Sequence, residues 1–358
     1  MKTIPAIIFV CSVLLIGCST ENKETTVNIS FKNEMYVPYT PVRNQGNTQS
    51  CWAYTMSSLV ESERLISHKD TVSLSVMYIL RHKYLEHFYS HYYSKGKDIV
   101  RGGSLGHTYL SLYDKMGAIP DSIYRGIKGG VKRHDHKELV KNLKLLANKA
   151  VKEKDLQKYV LKAENLLDET LGKIPATFIY KGQTYTPVSF ADTLGFNPHN
   201  YIELTSFTHH PFYEWFVMEV PDNWEHEKFY NVPVVELERI TRDVLENGRS
   251  VAWDGDISEK GFNPREGVAT FPASDVSQEM RQMEFDTFAT TDDHMMHIIG
   301  TADGSDGKFY YILKNSWGKV GPYKGLLYMS EDYFRAKTIS VVVPKEHINL
   351  QGNGPQLH

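Results

Sequence analysis

The Cys51 thiol, a small set of imidazoles and two side-chain amides are the groups in this chain whose types and spacing point to nucleophilic chemistry. Cys51 ends the polar run "QGNTQS" and is followed at once by Trp52 and by Ala53, Met56 and Val60 at helical spacing. Ser50 stands where an N-cap would stand. A cysteine there is placed for attack, because the thiolate and not the thiol is the nucleophile, and a helix N-terminus favours the charged form. The competing reading is an inert buried thiol, since free cysteine is among the most buried residue types. Gln45, upstream of Cys51 in the same run, is by itself an ordinary loop amide. A nucleophile of this kind needs a base, and the base needs a third group to orient it. His294 and His297 compete for the first role, and on a strand they point to opposite faces. Asn315, in "KNSWG", is a candidate for the second. His209 and His210 look like a metal pair, but no cysteine or carboxylate at ligand spacing completes a site, and no metal is expected.

The chain has 358 residues and 3 cysteines, Cys11, Cys18 and Cys51. Lys2 precedes "IPAIIFVCSVLLIG", an apolar stretch too short to span a bilayer comfortably, which runs into Cys18 as "LIGC". This ending resembles the bacterial lipobox. The resemblance implies a signal peptide at 1–17, acylation of Cys18 and a polar tether over 18–33. Cys51 would then be the single thiol of the mature chain, with no internal disulfide to support the fold. Lys+Arg 40 against Asp+Glu 43 leaves no basic excess, so nucleic acid is not an expected partner. A hydrophobic content of 41% is enough for one large core or two lobes.

The elements that must position these groups fall in two blocks. Helices are expected from Ser50 and over "SLSVMYILRHKYLEHFY", and again after the glycine loop "RGGS". Residues 134–172 carry Leu139, Leu143 and Leu146, then Leu156, Val160, Ala163 and Leu167, on the apolar faces of two charged amphipathic helices. The C-terminal half turns toward strands. "VPVVELERITRDVLENGRS" is a helix ending at Gly248, "SVAWDGD" alternates, and "HMMHIIGTADGSDGKFYYILKNSWG" reads as two strands joined by a Gly/Asp turn. "TISVVVP" is a final strand. The expected class is α+β, with helices first and a sheet-rich lobe after them.

"QGNTQSCWA", "RGGS", "DDHMMHIIG" and "KNSWG" occur in the order found in papain-like cysteine peptidases, and the chain resembles that family over roughly residues 36–345. "VPDNW", "NVPV", "TTDDH" and "YTPVSFADTLGFNP" resemble the bleomycin hydrolase and aminopeptidase C branch. The resemblance implies a two-lobe fold, with the nucleophile helix in a helical lobe, the histidine and asparagine in a β-rich lobe, and a helical insertion at about 120–235 within a 34–345 domain. It implies Cys51 as nucleophile, Gln45 with the Cys51 amide as oxyanion donors, and Asn315 as the orienting partner. Gly300 sets the register that selects His294 as the base and leaves His297 structural. Gly102, Gly103, Trp317 and Trp52 would meet substrate or cover the site. Met295 departs from the pattern, which has a small residue there.

The implied activity is hydrolysis of peptides through an acyl-enzyme, without a cofactor and with an aminopeptidase preference. The alternatives are an endopeptidase or amide hydrolase with an open cleft, and a catalytically silent binding protein of the envelope. In the branch the C-terminus lies in the cleft, so the tail 346–358 is a candidate gate for free N-termini. Peptides and, through the acylated Cys18, a lipid membrane are the expected partners, with a homo-oligomer as a further possibility. The expected location is the bacterial cell envelope, anchored in the outer membrane and facing the periplasm or the surface.

Overall fold

The computed structural model describes residues 29–128 and 133–349. The signal segment, Cys18, most of the tether and residues 350–358 of the tail lie outside the described residues. No helix among the described residues is long and apolar enough to cross a membrane.

Five long helices come first, α1 (Cys51–His68), α2 (Val76–Tyr93), α3 (Gly106–Met116), α4 (Lys137–Glu153) and α5 (Leu156–Leu171). In α4 the apolar stripe Leu139, Leu143, Ala147 and Ala150 is buried, and in α5 Tyr159, Val160, Ala163, Leu167 and Leu171, so the Lys/Glu faces point to solvent as the periodicity requires. Asp155 caps α5 by accepting from the Lys158 amide at 3.2 Å, and Ser75 caps α2 by accepting from the Tyr78 amide at 3.1 Å. This run of helices ends at Leu171. From Tyr201 onward the same insertion contributes strands Tyr201–Thr205, Trp215–Val217 and Lys228–Asn231 to the main sheet. "YIELT" is buried along its whole length and so lacks the alternation that marks a half-buried strand.

An 11-stranded sheet forms the second block. At its centre Thr338–Pro344, Val251–Gly255, His294–Gly304, Phe309–Lys314 and Leu326–Ser330 lie side by side, each antiparallel to the next. Period-two alternation sorts their side chains between two cores. Ala252, Met295, Ile339 and Val342 face the helices, with Trp52, Leu59 and Tyr84. Val251, Trp253, Met296, Ile298, Val341 and Val343 face the other way, against Leu237, Ile240 and Val244 of the helix Val234–Glu246. The helical block and the sheet therefore meet along the start of the His294 strand, against which α1 packs.

Residues 31–33, assigned to the tether from sequence, belong instead to a strand, Phe31–Tyr36, which pairs with the far end of the His294 strand. One apolar contact decides it: the Phe31 ring stacks on Tyr328 at 3.8 Å, while the other side chains of this strand remain polar or exposed.

Candidate active site

Cys51 is the first residue of α1 and the only free cysteine among the described residues. Ser50 occupies the N-cap, yet its side chain makes no capping bond. Its hydroxyl is engaged by Thr48 Oγ1 instead. The first amides of α1 are thereby left without a side-chain acceptor, which keeps the positive end of the helix open beside the thiol.

His294 opens its strand, and the backbone amide of the next residue, Met295, faces the Cys51 thiol. His294 is buried and its Nε2 donates to Asn315 Oδ1 at 2.9 Å. That bond places the proton of the neutral ring on Nε2 and leaves Nδ1 as the basic nitrogen. Asn315 Oδ1 is itself fixed, because it also accepts from the Ser316 amide at 2.7 Å. The Trp317 indole lies over the imidazole, with ring centroids 4.7 Å apart, and shields the His–Asn bond from water. Met295 points into the helical core at 2% exposure, so the larger side chain at this position is absorbed by packing there.

Gln45 is held by three contacts to the loop that carries Asn315 and to its own turn. Its amide donates to Ser316 O at 2.8 Å, its carbonyl accepts from Thr48 Oγ1 at 2.9 Å, and its Oε1 accepts from Ser316 Oγ at 2.5 Å. With Oε1 occupied, the Nε2 end is the one left for a ligand, as an oxyanion donor requires. Ser316 was not singled out from sequence, although it lies inside "KNSWG"; its signal is its position between Asn315 and Trp317.

Gly102 and Gly103 form the opposite wall. A Cβ on Gly102 would lie 2.4 Å from Thr48 O, so only glycine lets the two loops meet. Trp52 donates from Nε1 to Gly102 O at 2.9 Å and is 0% exposed. Trp52 therefore cannot touch substrate, contrary to the sequence expectation. Its indole is consumed in tying α1 to the glycine wall.

His297 stands apart from the thiol. It is 0% exposed and its Nδ1 accepts from Ser58 Oγ at 2.7 Å, on the side of the strand opposite to that of Met296 and Ile298. His209 and His210 are joined by a residue that the sequence spacing did not reveal: Glu219 lies 3.2 Å from His209 Nε2 and 2.7 Å from His210 Nε2. The three form an imidazole–carboxylate cluster with the spacing of a metal site.

Burial opposes each charge at the nucleophile taken singly. It pushes the Cys51 thiol up to about 12, with Asp222, Asp254 and Asp292 pushing the same way and the Met295 amide against them. It pushes the His294 imidazole down to about 4, with Asn315 acting against the shift. Transfer of the thiol proton to Nδ1 would create opposite charges, whose attraction together with the end of α1 would offset the desolvation.

Residues 176–352 match the Peptidase C1-like family. The C-terminal half is thus similar to that family. Aminopeptidase G of Lactobacillus delbrueckii subsp. lactis is 22% identical over 277 residues, covering 69% of this chain and 63% of the relative. Aminopeptidase W of the same organism is 29% identical over 131 residues, covering 34% of this chain and 29% of the relative. The chain thus spans less than two thirds of the length of either curated relative. PepW from Lactobacillus rhamnosis superimposes with a TM-score of 0.74 at 18% identity, covering 89% of this chain and 83% of that one. The fold is papain-like. In this peptidase C1-like frame the matched stretch contains His294, Asn315 and Trp317, and Cys51 with Gln45 lies in the helical part before it.

Proposed function

We propose that the chain is a cysteine peptidase that acts as an aminopeptidase. The observation that carries the reading is the Nε2 to Asn315 Oδ1 bond of His294, which directs Nδ1 away from the asparagine while the next residue's amide faces the thiol at the start of α1. Nδ1 takes the Cys51 proton as sulfur attacks the peptide carbonyl carbon. The developing oxyanion is met by the Cys51 amide and by Gln45 Nε2. The imidazolium then gives its proton to the departing amine, leaving a thioester. Water, deprotonated by Nδ1, attacks the thioester, and Cys51 recovers its proton as the acid leaves. No cofactor takes part in these steps. The names of the curated relatives support peptides with a free N-terminus as substrates.

The test is cleavage of a peptide library with free and blocked N-termini by wild type and by Cys51→Ala. Turnover by the alanine variant, or no turnover by wild type, rejects the reading. The lipobox-like "LIGC" supports acylation at Cys18 and attachment to a bacterial envelope membrane. Metabolic fatty-acid labelling of wild type and Cys18→Ala tests the attachment. Equal label in both rejects it.

A further inference from the structure

The charges of three carboxylates reach the thiol, and none has a part in the steps above. Asp254 sits in the strand Val251–Gly255 directly opposite Met295, whose amide faces Cys51. It shares a strand face with Ala252, and both Ala252 and Met295 pack toward the helical block, so Asp254 looks toward the cleft between the blocks. Asp254 is 1% exposed, and among the described residues neither of its oxygens meets a donor. Its carboxylate faces that of Asp292, two residues before His294, which also leaves Oδ2 unpaired. Asp222 completes the group from the "VPDNW" loop. A Cβ on Gly103 would stand 2.1 Å from Asp222 Oδ2, and the Asp222 backbone amide faces the Asp292 carboxylate. The Asp222 loop thus reaches from the glycine wall to the histidine wall.

Among the described residues, cations answer only one of the three. Arg101 lies 3.5 Å from Asp222, and Lys83 adds its field there. Burial is the main cause that raises both: together with the charge of Asp222 it pushes Asp292 up to about 8, against the contact with the Asp254 carboxyl, and together with the charges of Asp292 and Asp222 it pushes Asp254 well above the carboxylate range. A buried acceptor without a donor costs roughly 1–3 kcal/mol, and more when charged. An ammonium ion brings a positive charge and three donors, which is the complement these oxygens lack. The glycine wall, along which an extended substrate backbone would pair, is occupied at Gly103 by Asp222.

We propose that Asp254 and Asp292, roofed by the Asp222 loop, form the subsite for the free α-ammonium of the substrate's first residue, and that the loop closes the cleft to any residue beyond it. This rests on the reading of Cys51 as nucleophile. It assigns exopeptidase selectivity to the folded domain and not to the C-terminal tail.

The experiment compares a panel of aminoacyl-coumarylamides with their N-acetyl forms, using wild type, Asp254→Asn, Asp292→Asn and a chain lacking residues 350–358. In parallel, Cys51→Ala, alone and combined with each asparagine substitution, is titrated calorimetrically with Ala-Ala amide and N-acetyl-Ala-Ala amide. We expect wild type to favour the free amine at least tenfold in kcat/KM. Each asparagine variant should lose most of that ratio through KM, while the truncated chain keeps it. Asp292 is the more exposed of the pair, so Asp292→Asn serves if Asp254→Asn does not fold. A ratio unchanged in the asparagine variants overturns the subsite. So does a ratio lost only on truncation, which would make the tail the anchor. If wild type cleaves nothing, yet Cys51→Ala binds the free amine at least tenfold tighter and the added asparagine abolishes this, the peptidase reading falls and the subsite stands.

Discussion

The Ser58 hydroxyl reaches His297 Nδ1 at 2.7 Å and accepts in turn from Lys314 Nζ at 2.7 Å, so α1, the His294 strand and its neighbour are pinned together about two helical turns along α1 from Cys51. Lys314 also donates to Thr40 Oγ1 at 2.9 Å, and Thr40 donates to Glu61. Removing the imidazole strands a buried hydroxyl, at roughly 1–3 kcal/mol. We therefore expect His297→Ala to lower the denaturation midpoint while changing kcat/KM by only a few-fold. His294→Ala should do the reverse, with turnover down by orders of magnitude. Chemical denaturation and steady-state kinetics on both variants separate the roles.

Labelling of Cys51 by iodoacetamide should report the ion pair directly. With His294 present, the thiolate forms by internal transfer and reacts at mildly acidic pH. In His294→Ala burial and the carboxylates Asp222, Asp254 and Asp292 still raise the thiol, and only the Met295 amide and the end of α1 act against them. The labelling rate at pH 6 should fall more than tenfold and recover only at strongly alkaline pH. Equal rates in the two proteins would show that the imidazole does not activate the sulfur.

Gln45 and Ser316 test the oxyanion site at two removes. Gln45→Ala deletes one donor, and kcat should drop by about 10²–10³ with little change in KM. Ser316→Ala leaves Nε2 in place but frees Oε1, so we expect a smaller loss, again in kcat. An effect confined to KM in either variant would place the glutamine on the ground-state substrate instead.

Asp254→Asn should make the protein more stable at neutral pH. The folded-state pKa of Asp254 is raised, so between the unfolded carboxyl value of about 3.9 and the folded value the native state holds a proton that the unfolded state has lost. Stability from this group consequently falls as pH rises through that window. The asparagine variant lacks the slope, and its advantage should vanish at about pH 3–4. Denaturation midpoints of the two proteins from pH 3 to pH 8 check the sign.

Much of this site was readable in the sequence because its parts are local. The helix that begins at Cys51, the strand that begins at His294 and the turn after Asn315 are each coded by neighbouring residues, and Gly300 marks the register. What could not be read depends on pairing across the chain. Trp52 looked like a cleft residue because nothing in "SCWA" announces that its indole nitrogen is taken by Gly102. Asp254 and Asp292 become neighbours only when two strands align with Asp254 opposite Met295. Glu219 joins His209 and His210 through a turn whose spacing matches no ligand pattern. Phe31 read as part of a polar leader because one stacked ring suffices to hold a strand that is otherwise exposed.

The strand Phe31–Tyr36 shares an edge of the His294 strand with Val251–Gly255: the latter covers its first half, and the N-terminal strand covers Gly300 to Gly304. A Cβ on Gly300 would lie 2.1 Å from Met35 O, so the glycine that marks the catalytic register is also the point where the leader strand crosses. A chain cut at residue 34 would uncover that edge in the strand that carries His294. Open edges of this kind recruit strands from other molecules. Expression trimmed at Ile29 should yield monodisperse material, and trimming at Val37 should yield aggregates.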